Sequence, residues 1–161
     1  MEAKVEETVG DCAYGAGPTR KAFADEQRML TAKVPTIQNG ECFPKSAFAI
    51  DLDRMEVRCP AGQTTTEYES QGVRRGGHFL FPDATCQACC LRTQCLRGQR
   101  GRSISIQPEE RLQQQARAHN QTQAGKQILR ERVVVEHGIA RLVSLGFVKA
   151  DTLGKPKPAF K

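Results

Sequence analysis

The stretch "RERVVVEHGIARL", Arg130–Leu142, sets a single glutamate, Glu136, between three valines and a histidine. At helical spacing Glu136 shares a face with Arg132, Val133, Ala140 and Val143. Two readings of this carboxylate stand. Arg132 and Glu136, four residues apart, can form a surface ion pair worth roughly 0.2–0.5 kcal/mol. Alternatively the apolar neighbours bury the carboxylate in part, and a buried carboxylate needs a partner such as a metal ion or an arginine.

Outward from this stretch, the helical pattern fills residues 107–146. "PEERLQQQARAHN" begins with Pro108 and two glutamates, which complement a helix N-terminus, and a break is expected near Asn120–Gln121. Gly146 is a natural stop, and the basic, proline-containing tail 147–161 is expected to be disordered. Residues 1–37 read as a strand around Thr8–Val9, a turn, a helix from about Pro18 to Met29 and a second strand near Leu30–Val34, the grammar of an α/β unit. Within that turn, "TVGDCAYGAG", Asp11 ends the first strand among small residues. A carboxylate there can meet a ligand closely, or can simply hydrogen-bond its own turn.

Residues 38–106 differ in character. They hold seven of the 14 glycines and every cysteine except Cys12, with short strand-like pieces in "MEVRC", "HFLF" and "RSISI". This segment is expected to be a loop-rich insertion with little core of its own, held together by something else.

Composition narrows the function classes. The chain has 161 residues, 39% of them apolar, with no tryptophan, and carries a formal charge of +6, which suits a polyanionic partner without proving one. No run of 18 apolar residues could cross a membrane, and the acidic N-terminus "MEAKVEETVG" is not a secretory signal. A cytoplasmic location is therefore expected. In that reducing compartment seven cysteines point to metal ligation or free thiols rather than disulfides.

Taken in order, "VGDCAYGAG", "FAIDLDRMEVRCPAGQTT", "CQACCLRTQC" and "ARAHNQTQAGKQILRERVVVEHGIARLVSLG" resemble the C-terminal half of a bacterial insertion-sequence transposase of the DDE type, over about residues 5–155. Arg132 followed by Glu136 is similar to the Y-R-E-K signature of those enzymes. The expected tyrosine is Leu129 and the expected later basic residue is Val143, with Arg141 nearby. The resemblance implies a partial RNase H-like α/β domain formed by 1–37 and 107–146, with the cysteine-containing insertion 38–106 before a C-terminal helical segment. It implies that Asp11 and Glu136 are the second and third catalytic carboxylates and ligands of Mg²⁺ or Mn²⁺. Two such ions activate water or a DNA 3′-hydroxyl for attack on a phosphodiester, and they favour oxygen ligands. Arg132 would position a phosphate or Glu136. The first aspartate of the triad should lie well upstream of Asp11, whereas Asp25, Asp51, Asp53, Asp83 and Asp151 all follow it. A truncated chain, unable to cleave DNA alone, is therefore expected.

Cys59, Cys86, Cys89 and Cys95 form a C-x26-C-x2-C-x5-C pattern, with Pro60 and Gly62 favouring a tight turn after the first. Four thiolates so placed can close a tetrahedral zinc site; four unmetallated thiols are the alternative. Cys90 is either a competing ligand or a passive thiol, and His78 a conceivable alternative ligand. Arg92, Arg97, Arg100 and Arg102 lie in a stretch without acids, Arg111, Arg117, Lys126, Arg130 and Arg132 extend the basic character along the helices, and Arg141 is a further DNA-binding candidate. Such a surface would track the phosphates of double-stranded DNA, here transposon ends. The function expected is DNA transposition. The alternative is a non-enzymatic, zinc-stabilised DNA-binding fragment that occupies transposon ends, or joins full-length transposase or further copies of itself.

Overall fold

The computed structural model of the chain describes residue 5 and residues 7–145. The expected stop at Gly146 and the tail 147–161 lie outside the described residues. At the N-terminal end, β1 (Glu7–Val9) and β2 (Met29–Thr31) pair in parallel, Glu7 against Met29 and Val9 against Thr31, and α1 (Gly17–Asp25) makes the crossover. This is the expected strand–helix–strand unit, with Pro18 in the first turn of its helix. α1 stops at Asp25 rather than near Met29, because Gln27 takes a φ of +54°, outside the helical region. β2 is correspondingly short, ending at Thr31 rather than running to Val34.

One buried side chain fastens the unit. The Arg20 guanidinium donates to the carbonyls of Gly15 (3.1 Å), Leu30 (3.3 Å) and Ala32 (2.6 Å). It thereby satisfies backbone acceptors that the short strands leave open.

α4 (Glu110–Gln121) packs on α1, and α5 (Gln123–Ser144) packs on α4, β1 and β2. The break between the two helices falls at Thr122, whose hydroxyl accepts from the Gly125 amide as an N-cap (3.0 Å). Helix α4 begins two residues after Pro108, since Gln107 and Pro108 are spent in a preceding turn closed by the Glu110 amide on Gln107 O (3.0 Å).

The insertion contains two three-stranded antiparallel sheets. β3 (Ala49–Asp51), β4 (Glu56–Arg58) and β5 (Thr64–Thr65) make one; β6 (Tyr68–Ser70), β7 (Gly77–Leu80) and β8 (Ser103–Ile106) make the other. Their alternation is plain in β8, where Ile104 and Ile106 point inward and Ser103 and Ser105 outward. Phe48, Val57, Phe79, Phe81, Ile104 and Ile106 form one buried cluster, with Phe79 directly opposite Ile104. Each such burial stabilises by about 1.5–3 kcal/mol. The expectation of an insertion with little core is thus corrected: the hydrophobic core cluster lies here, assembled from residues too scattered in sequence to form a visible apolar run. Two small helices, α2 (Asp83–Gln87) and α3 (Arg92–Cys95), lie between β7 and β8.

Insertion and helices are not separate bodies. Lys45 Nζ lies 2.5 Å from Glu110 Oε2, and Gln114 Nε2 donates to Ile50 O (3.1 Å). On the other side Asn120 Nδ2 donates to Ala32 O (2.9 Å), so α4 bridges the insertion and the parallel unit. No helix among the described residues is long and apolar enough to cross a membrane.

Candidate functional site

Asp11 stands just past β1, where the Gly10 amide adds one more ladder bond to Thr31 O (3.0 Å). Its Oδ1 accepts from the Ala13 amide (2.8 Å) and caps the 3-10 turn Cys12–Gly15. The exposed carboxylate therefore does what an aspartate at a turn commonly does, while standing at the C-terminal end of a parallel strand, where α/β folds place ligands. The small residues around it have a steric cause. A Cβ on Gly15 would fall 1.9 Å from Lys33 O, so this turn seats against the chain leaving β2 only without a side chain.

Glu136 lies on α5 and pairs with Arg132, one turn earlier. Its side chain is 51% exposed and that of Arg132 21%. The surface ion pair is the arrangement realised, and the partial burial expected from the apolar neighbours is not. Val133 to Leu145 are all exposed, Val134 at 71% and Val135 at 61%, with nothing among the described residues packed over that half of the helix. α5 packs on β1, which ends two residues before Asp11, while Glu136 lies in the half of α5 that nothing among the described residues covers.

The arginines divide by environment. Arg92 donates to Gly98 O (2.7 Å) and Arg102 to Phe43 O (3.1 Å), with the Arg102 guanidinium 5.4 Å from the centre of the Phe48 ring. Both are half-buried, with local structural work to do. Arg97 pairs with Glu41 at 2.5 Å on the surface, while Arg100, Arg130 and Arg141 are exposed. Sequence reasoning did not find the cleft of about 620 Å³ that carries Lys33, Lys45, Arg117 and Lys126 beside Glu110. Burial pushes the Lys45 ammonium down, against the raising influence of its Glu110 partner, with the Arg117 charge adding to the lowering. Lys45 and Glu110 are 65 residues apart, so no local pattern joins them.

Cys59, Cys86, Cys89 and Cys95 line one pocket, together with Arg92 and Arg102. Burial pushes the Cys95 thiol up, the Arg102 charge opposes this, and the sulfurs of Cys86, Cys59 and Cys89 add to the rise. Cys90 is exposed and outside the pocket, Cys42 is buried elsewhere, and Cys12 is exposed. His78, on β7, does not line the pocket. Among the described residues no three His, Cys, Asp or Glu side chains stand at the mutual spacing of a loaded metal site.

A family model described as a transposase DDE domain matches residues 58–160, which include Glu136 and the four pocket cysteines but not Asp11. No curated protein and no solved structure matches the chain.

Proposed function

The chain belongs to the family of transposase DDE domains, and we propose on that premise that it serves DNA transposition through a carboxylate centre to which Asp11 and Glu136 contribute. The observation that carries this reading is the position of Asp11 at the C-terminal end of β1, on a parallel crossover against which the helix bearing Glu136 packs. The same crossover, with α4 and α5 laid on it, supports an RNase H-like domain.

A pair of carboxylates suits Mg²⁺ or Mn²⁺ in kind, because these ions take oxygen ligands. It falls short in number. Among the described residues no group of three or more His, Cys, Asp or Glu side chains could hold a metal ion, around Asp11 and Glu136 or elsewhere. The centre therefore needs further oxygen ligands beside Asp11 and Glu136, and no cleavage step is placed on these two residues alone. What the chain does alone is bind duplex DNA, with Arg100, Arg130 and Arg141 presented to phosphates and Arg132 holding Glu136 in place.

The incomplete acidic set also favours a second reading, a non-catalytic DNA-binding chain that occupies transposon ends or joins a full-length transposase and silences it. One assay on the purified chain tests both. Fluorescent linear duplex and supercoiled plasmid are incubated with Mg²⁺ or Mn²⁺, and binding and nicking are read separately. Salt-sensitive binding without nicking is the expected result. Metal-dependent nicking that Glu136→Gln abolishes would show a complete centre within this chain and overturn both readings. Restored cleavage on adding a transposase subunit that carries the missing carboxylate favours the catalytic reading; inhibition of an active transposase favours the second.

A further inference from the structure

We propose that the pocket lined by Cys59, Cys86, Cys89 and Cys95 is a mononuclear zinc site with four thiolate ligands. The thiols come from three separate segments: the end of β4, the α2 region and the last residue of α3. Free cysteines also favour apolar surroundings, but a tetrahedral thiolate site is what requires four of them to converge on one pocket.

The backbone on each side is already turned for ligation. After Cys59 the Gly62 amide closes a tight turn on Cys59 O (2.9 Å), and Gly62 takes a φ of +83°, which glycine alone adopts without strain. The Cys59 amide in turn donates to Gln63 O (2.8 Å). On the other side the Cys89 amide donates to Cys86 O (3.3 Å), the turn of a C-x2-C knuckle, and the Arg92 amide to Cys89 O (3.1 Å).

Charge supplies an independent indication. Arg92 Nη1 and Arg102 Nε are buried with no acceptor among the described residues, and both arginines line this pocket. Buried donors without acceptors are rare in folded proteins, and thiolate sulfurs, formed when the cysteines ligate a metal, would supply acceptors that a cation itself does not. Binding Zn²⁺ releases one proton from each of the four thiols to solvent and leaves a site of net charge −2. Two guanidinium groups offset that charge. The Arg102 amide already donates to Cys86 Sγ (3.4 Å), the kind of N–H···S contact that steadies a thiolate ligand.

The cavity measures about 30 Å³, room for a single ion. The four sulfurs are not at ligand spacing, so loading requires them to draw together. Cys90, exposed and outside the pocket, takes no part. Through the metal, the end of β4 would be clamped to α2 and α3. The site stands apart from Asp11 and Glu136, so its test needs no DNA and its failure would leave the proposed function intact.

The test is metal analysis of the purified full chain together with cobalt substitution. One zinc per chain is expected, and Co²⁺ should give the strong sulfur-to-metal charge-transfer bands of a tetrahedral four-thiolate site. Cys90→Ser and Cys42→Ser should keep the metal, while Cys59→Ser and Cys89→Ser should lose it. Because a ligand variant can fail to fold, alkylation of the unmodified chain with peptide mapping is the second measurement. Cys59, Cys86, Cys89 and Cys95 should be protected with zinc and become reactive on chelation. The proposal is overturned by a chain that takes up neither zinc nor cobalt, by a cobalt spectrum of an octahedral oxygen site, by loss of metal in Cys90→Ser, or by four thiols equally reactive before and after chelation.

Discussion

Lys45 Nζ and Glu110 Oε2 meet at 2.5 Å with both side chains almost wholly buried, 10% and 2% exposed. The contact joins the insertion to α4. Arg117 Nη1 approaches the other oxygen, Glu110 Oε1, at 3.5 Å, and the Gln107 amide adds a contact to Oε2 at 3.3 Å. A buried pair of this kind adds little net stability against a well-packed apolar replacement, but removing one partner strands the other charge. Glu110→Gln should therefore cost about 3–5 kcal/mol in urea unfolding. The double variant Lys45→Met with Glu110→Leu should lose less than either single change. Additive losses in that cycle would mean that the two groups do not interact in solution.

Arg20 invites a second prediction. It is 6% exposed, and its guanidinium holds three carbonyls from two sides of the parallel crossover. Burial, and next the charge of Arg117, lower its pKa, yet an arginine remains protonated at any pH at which the protein folds. A lysine brings one point of attachment in place of a planar fork. Arg20→Lys should thus lose roughly 2–4 kcal/mol, the sum expected when two buried carbonyls go unsatisfied. Hydrogen exchange should locate the loss at β1 and β2. Uniform faster exchange across the insertion as well would contradict a local role.

These two contacts also mark how far the sequence could be read. Asp11 at a strand end, α1 after Pro18 and the helix break near residue 121 follow from local patterns of a few residues, and each is in place within a few positions. The core of the insertion does not follow, because Phe48, Val57, Phe79 and Ile104 sit one or two to a strand and meet only through sheet pairing. The sequence leaves two readings of Glu136 open, surface pair or partial burial, for a related reason. Apolar spacing along α5 states which face is apolar and says nothing of whether another element covers it. Spacing does single out the four cysteines that line one pocket, since a knuckle and a tight turn are local structures.

Asp51 contributes to stability on the acid side. Its Oδ1 accepts from the amides of Asp53 and Arg54, both at 2.9 Å, in the turn between β3 and β4. The Arg54 amide first, against a smaller effect of burial, and then the Asp53 amide hold its carboxyl below the usual carboxylate value of 3.8, helped by the charges of Arg54 and Arg111. A carboxyl depressed in the folded state contributes stability above its unfolded pKa and loses it as pH falls through the folded pKa. Below about pH 4 the wild-type chain should therefore lose stability faster than Asp51→Asn, which keeps an acceptor oxygen but does not titrate. Parallel curves for the two proteins from neutral pH into acid would refute the assignment.

Glu136 should be cheap to replace. It is half exposed, its partner Arg132 is one helical turn away, and the valines around it are open to solvent. Glu136→Gln and Arg132→Ala should each change stability by less than about 0.5 kcal/mol, as exposed i,i+4 pairs do. A loss beyond about 1 kcal/mol, measured by urea unfolding across a dilution series, would mean that this half of α5 is covered in solution.

The arginines separate DNA contact from folding. Arg100, Arg130 and Arg141 are exposed, whereas Arg92 and Arg102 hold the carbonyls of Gly98 and Phe43. A side chain that neutralises a phosphate releases counterions, so removing it lowers the slope of log affinity against log salt by about 0.9 per contact, whatever the DNA sequence. Arg100→Ala, Arg130→Ala and Arg141→Ala should each weaken duplex binding, reduce that slope and leave the unfolding curve in place. Arg92→Ala and Arg102→Ala should do the reverse, shifting the unfolding midpoint while leaving the salt slope of the remaining folded protein unchanged. A reduced slope for Arg102→Ala with intact stability would return that residue to the DNA-binding surface and remove it as a counter-charge of the thiol pocket.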